Sequence, residues 1–210
     1  LTSAGYTIIT KILNTRIITD IPQNRERIYI VGFRDPECAK KFTLEFPEVK
    51  TREIKDVVFQ SGDGIPSKYY YVPKERPVIR TGEDETTLPL KISKWESGQK
   101  ITNMIIDGVT ETNTVYQFRR VYVRKNHKGV CPTLTANMGG GGHNVPLIKD
   151  DIGVRKLTPR ECFRFQGFPD TYSLDGLSDT NLYKLAGNAV SLSVVKLISE
   201  RVVKVLQDAH

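Results

Sequence analysis

After Arg27, the run Ile28-Tyr29-Ile30-Val31-Gly32-Phe33 holds six residues without a charge. A strand with one face in water alternates polar and apolar side chains. An unbroken apolar run instead suits a strand covered on both faces of a parallel or mixed sheet. That feature calls for layers above and below the sheet, which means an α/β fold. Asp35-Pro36 ends the run. Ahead of it, Thr7 to Leu13 and Ile17 to Ile21 are rich in β-branched residues and read as two more strands, the second halted by Pro22. Thr51 to Phe59 spaces Ile54, Val57 and Val58 at i, i+3 and i+4, which predicts a short amphipathic helix with Thr51 as its N-cap.

From about Gly62 to Ile152 the pattern changes. Pro, Gly, Thr and Tyr rise and helical periodicity fades. Short strand-like pieces occur at Lys68 to Val72, Pro77 to Arg80, Thr114 to Arg124 and Thr133 to Ala136. This reads as a loop-rich, mainly β segment inserted between two α/β parts. The expected division is 1–61 for the strands, 62–157 for the insert and 158–210 for the returning helices. The last part is well marked. Thr158-Pro159-Arg160-Glu161 is a capping box with Pro at the first helical position, and Gly167 with Pro169 stops that helix. A second helix is predicted near Ser178 to Ala186. A third runs over Val190 to Leu206, with Val190, Val194, Ile198, Val202 and Val205 on one stripe.

Composition excludes several classes. With 210 residues the chain can bury roughly 70% of its unfolded surface. Three cysteines at unrelated spacings form no disulfide framework and fit a reducing cytoplasm. No apolar run approaches the ~18 residues of a membrane span. Leu1-Thr2-Ser3 opens no signal peptide and does not begin with Met, which fits a piece of a longer product. A net charge of +7 suits a polyanionic partner without requiring one.

Four segments could carry chemistry. Arg25 and Arg27 flank Glu26 just before the apolar run; as guanidinium forks they suit phosphate or carbonyl oxygens, or form a salt-bridge cluster at a sheet edge. In the ten residues from Arg119 to Lys128, five are Lys or Arg, and aromatics interleave with them from Tyr116 on. Read as one continuous strand, alternation sets Phe118, Arg120, Tyr122 and Arg124 on one face and Arg119, Val121 and Val123 on the other. Such a ribbon suits a nucleic-acid groove, or is an edge strand protected by charge. Cys131-Pro132-Thr133-Leu134-Thr135-Ala136-Asn137-Met138 runs into four glycines, Gly139 to Gly142, which allow close backbone approach or simple looseness. It is no P-loop, and His127 and His143 lack metal-site spacing. Gly187-Asn188 opens the last helix as a cap, with N–H donors that could serve a ligand.

Taken in order, these pieces resemble the C-terminal half of the DNA (cytosine-5)-methyltransferases. PQNRERIYIVGF resembles the family's Gln-x-Arg-x-Arg block and the strand after it. CPTLTANMGGGG resembles the Thr-Leu and Gly-rich part of the target-recognition domain. RKLTPRECFRFQGFPD and YKLAGNAVSLSVVKLI resemble the last two blocks. The resemblance implies the C-terminal portion of a Rossmann-like methyltransferase sheet with an inserted, mainly β target-recognition domain. It implies transfer of a methyl group from S-adenosylmethionine to C5 of a flipped cytosine in duplex DNA, by an enzyme of a restriction–modification system. Arg27 would reach the cytosine and its phosphate, and Arg25 would hold the DNA backbone beside it. Gln23 would shape the turn there. Gln23, Arg119, Arg120, Arg124, Thr133, Asn137, Gly139, Gly140 and Arg155 would belong to the DNA-binding side, and Arg155 to Glu161 would also organise the recognition domain against the catalytic domain. Asn188, Ala189 and Val190 would line one side of the methyl-donor pocket. The expected location is the cytoplasm, at the nucleoid in a bacterium, with no metal and no membrane.

The departure from the family's pattern is large. No Cys follows a Pro, and no Glu-Asn-Val block or N-terminal Gly-rich loop is present. The nucleophile and its acid are therefore expected on an N-terminal half, in the same or a separate chain. A stand-alone DNA-binding module and a scaffold subunit that does not touch DNA remain as alternatives.

Overall fold

The computed structural model describes residues 1–60, 63–73, 88–127, 129–140 and 144–209. The strand expected at Pro77 to Arg80, and Gly141 to His143 of the glycine run, lie outside them.

Strands β1 (Thr7–Asn14) and β2 (Glu26–Phe33) pair antiparallel, from Thr7 opposite Phe33 to Asn14 opposite Glu26. Between them lies a helical turn, α1 (Thr15–Ile18), not the strand expected over Ile17 to Ile21. The reason is local. Asn14 caps the turn by accepting from the Arg16 N–H, and the Thr19 hydroxyl donates back to Thr15 O at 2.7 Å. One face of the two-stranded sheet, with Ile9, Leu13, Tyr29, Val31 and Phe33, packs against α2 (Pro36–Lys41) and against Val194, Ile198 and Val205 of the last helix, α6 (Leu192–Gln207). The other face is bare: Ile12, Ile28 and Ile30 are 66%, 62% and 54% exposed. The predicted covering of β2 on both sides is thus half met by the residues described.

Among the described residues the insert combines a helix with an antiparallel sheet. It carries α3 (Leu88–Gly108), a 21-residue helix whose weak periodicity hides it from pattern reading. Among its described side chains Ile105, near the C-terminal end, is the one that is buried. The sheet of the insert has four antiparallel strands in the order β4-β3-β5-β6. These are β3 (Tyr116–Arg119), β4 (Tyr122–Lys125), β5 (Leu147–Lys149) and β6 (Val154–Lys156). Lys68 to Val72 forms a 3-10 turn over Ser67–Tyr69 and a single bridge from Tyr70 to Arg155. Thr133 to Ala136 is irregular and leads into a 3-10 turn over Ala136–Gly139. The helix predicted over Thr51 to Phe59 shrinks to a 3-10 turn, Ile54–Asp56, boxed by Glu53 and Asp56. Its apolar positions Ile54 and Val57 are still buried as the spacing required.

The C-terminal helices follow their signals. In α4 (Pro159–Phe165) Thr158 and Glu161 close the capping box, and Gly167 follows the helix with φ of 85°. Ser178 caps α5 (Asp179–Asn188). Asn188 therefore ends α5 and does not cap α6. Val190 lies before α6 and is 55% exposed, off the buried stripe. Helices α4 and α5 share a core with Leu134, Met138, Val145 and Leu157 of the insert, whereas α6 shares its core with β1 and β2. A packing seam thus falls between α5 and α6, within the segment expected over 158–210.

Candidate functional site

Three segments distant in sequence meet in front of β2. The backbones of Gln23 and Cys131 form a parallel bridge, with Asn24 N donating to Cys131 O at 2.9 Å and Cys131 N to Pro22 O at 2.7 Å. The Thr133 hydroxyl donates to Asn24 O at 2.6 Å. Arg25 is the tie between all three. It is 5% exposed, and its guanidinium donates to Leu134 O (2.9 Å), Ala189 O (2.8 Å) and Gly187 O (3.5 Å). Burial first, and the like charge of Arg27 second, lower its pKa from the ordinary value. Two residues on, Arg27 is exposed and donates to the carbonyl of its neighbour Glu26 at 2.6 Å.

The third segment is held by contact. A Cβ on Gly187 would lie 2.1 Å from the Thr135 carbonyl carbon and 2.3 Å from Ala136 N, so only glycine lets these backbones touch. The Thr15 hydroxyl lies 2.9 Å from that of Ser191, closing the corner behind. Asn188 points outward, and its carboxamide has no hydrogen bond among the described residues. Beside it a cleft of about 270 Å³ is lined by Phe163, Leu177, Leu185, Asn188 and Ala189.

Arg119, Arg120 and Arg124 are exposed. The ribbon is not continuous: it folds back at Arg120, whose φ is 55°, and at Val121. This resets the faces. Gln117 opposes Arg124 and Arg119 opposes Tyr122, while Phe118 opposes Val123. The expected grouping of Arg120 with Phe118 therefore fails, because no Asn-Gly or Gly-x pair announces the turn. Arg119 and Arg120 line a cleft of about 680 Å³ with Asn137, Gly140, Asn144 and Ile101. Asn137 and Gly140 are exposed there. Gly139 faces α5 instead; a Cβ there would lie 2.7 Å from Thr180 O.

Two residues expected on the DNA side are interior. Gln23 is wholly buried and donates to Phe165 O at 2.6 Å. Arg155 is also wholly buried, in a network it organises. It donates from Nη1 and Nη2 to the two carboxylate oxygens of Glu161 at 2.9 and 2.8 Å, and from Nε to Asp150 at 2.7 Å. Glu161 also accepts from Thr158 N and Phe59 N, and Asp150 from Tyr70 OH. Such a paired, saturated charge has no donor to offer DNA. Its sequence signal was the carboxylates five residues before and six after it.

Among the described residues no group of three His, Cys, Asp or Glu side chains could hold a metal ion, and no helix is long and apolar enough to cross a membrane.

A sheet fragment joined by an arginine tie to an inserted second sheet and a Gly-Asn corner defines a class, and comparison gives it a family. The chain belongs to the C-5 cytosine-specific DNA methylase family, which it matches over residues 1–204. It is similar to the type II methyltransferase M.Bsp6I of Bacillus sp. (strain RFL6), 45% identical over 97% of this chain and 57% of that protein. It is also similar to the type II methyltransferase M.HaeII of Haemophilus aegyptius, 30% identical over 100% of this chain and 54% of that protein. The chain thus spans little more than half the length of these relatives. Its fold is shared with the Dnmt2 methyltransferase of S. pombe, at a TM-score of 0.57 and 17% identity, over 98% of this chain and 59% of that one.

Proposed function

We propose that these residues are the DNA-recognising and C-terminal portion of a DNA (cytosine-5)-methyltransferase of a restriction–modification system. Its methyl acceptor is C5 of a cytosine flipped from duplex DNA, because a ring carbon inside the base stack is out of reach. The observation that carries this reading is the Arg25 tie, which joins the Arg-x-Arg segment, the Thr-Leu loop and the Gly-Asn corner at one point.

On this reading the attacking thiolate and its acid lie on an N-terminal segment. Cys131 and Cys162 are poor nucleophiles, since both are wholly buried and burial pushes their thiols up, away from the thiolate. The bare apolar face at Ile12, Ile28 and Ile30 suits cover by that segment. Exposed Arg27 reaches the cytosine and its phosphate. Arg25 acts through the carbonyls it holds, as a positioning residue. Thr133, Asn137 and Gly140, with the arginines of the β3–β4 hairpin, face the duplex. S-adenosylmethionine fits the remaining corner, because an exposed, unbonded carboxamide stands beside an apolar cleft. Asn188, Ala189 and Val190 would line one side of it, and the bound donor would supply the methyl group.

The test is complementation. Mixed with the N-terminal remainder of M.Bsp6I, the chain is expected to pair with it and to transfer tritiated methyl groups to cytosines of duplex DNA. Pairing or DNA binding without transfer, or the failure of all three, would overturn the reading.

A further inference from the structure

Resting on that reading, we propose that Arg119 and Arg124 read two G·C pairs from the major groove, no more than two base steps apart, and that Gln117 positions both. Directly opposed residues of an antiparallel pair share a face. Gln117, Arg119, Tyr122 and Arg124 therefore form one face of the hairpin, and Phe118 and Val123 turn the other way, into the apolar cluster around Ile105.

On that face Gln117 Oε1 accepts from Nη2 of Arg119 at 3.1 Å and also from Nη2 of Arg124. Two like charges are drawn to one acceptor instead of splaying apart. The ion pairs among the described residues leave both without a carboxylate. Both residues are exposed. A phosphate contact needs charge and tolerates a mobile side chain. Fixing two guanidinium forks relative to each other matters for a pattern of acceptors, such as O6 and N7 of guanine, which Arg meets with two bonds. The dimensions agree. A major groove about 12 Å wide admits a two-stranded ribbon. Diagonal neighbours on one face, as Arg119 and Arg124 are, stand roughly 7–8 Å apart, close to two base steps of about 3.4 Å each.

The experiment selects duplexes from a random library by binding to the chain, alone and complemented as above, for the unaltered protein and for Arg119→Lys, Arg124→Lys and Gln117→Ala. The unaltered protein is expected to enrich a motif with two G·C pairs at most two steps apart. Each Lys variant keeps the charge and loses the fork. Each should lose preference at one of those pairs, on the order of tenfold, with the salt dependence unchanged. Gln117→Ala should weaken both preferences together. Lys variants with full base preference, or with weaker binding to all sequences alike and a shallower salt slope, would overturn the proposal. Methyl transfer measured in parallel separates the two readings. Transfer without the motif sinks base reading alone, and the motif without transfer sinks the methyltransferase reading alone.

Discussion

Arg25 and Arg27 are the same residue type two positions apart, and their surroundings give them different work. One is buried against three carbonyls; the other is exposed at the start of β2. Arg27→Ala is therefore expected to cut methyl transfer by roughly a hundredfold while changing duplex affinity much less. Arg25→Met should instead lower stability, by about 1–3 kcal/mol for the carbonyls left unpaired. Transfer assays, binding titrations and urea unfolding check the contrast, and equal losses of transfer and binding in Arg27→Ala would contradict its role. The residue types of this corner were legible in the sequence, but burial was not. Gln23 and Arg155 look like surface polar groups in a one-dimensional reading. Only the folded neighbours, Phe165 O for the first and Glu161 with Asp150 for the second, turn them inward.

Among the elements, those with local grammar were readable. The capping box of α4 and the Ser cap of α5 are set by side chains within three residues of the helix start. Helix α3 was not readable, because among its described side chains only Ile105 is buried and no apolar stripe repeats along it. The ion network that joins β6 to α4 yields a pH prediction. Burial alone would raise the Asp150 pKa. Hydrogen bonds from Arg155, the Gly153 N–H and Tyr70 outweigh it and hold the carboxyl below its usual range. A depressed folded pKa contributes stability above the unfolded value, near 3.9, and that contribution is lost as pH falls through the folded value. Stability measured by urea unfolding should fall more steeply with acid, below about pH 4, in the unaltered protein than in Asp150→Asn. At neutral pH Glu161→Gln should cost about 3–5 kcal/mol, since it leaves Arg155 buried beside a neutral partner.

For the whole molecule, the bare side of the β1–β2 sheet is the feature that composition alone could not locate, although the run after Arg27 announced it. Replacing Ile28 and Ile30 together by Asp is expected to abolish co-purification with an N-terminal segment. The circular dichroism of the chain should stay unchanged, because both positions are exposed within it. Unchanged pairing would mean that another surface makes the joint. The Gly187 contact has a further consequence. Where two backbones touch with no side chain between them, neither can be rerouted without moving the other. An exchange of specificity between relatives would therefore have to carry the Thr135–Ala136 path across intact. Grafts cut on either side of that path should yield working hybrids, and grafts cut through it should not.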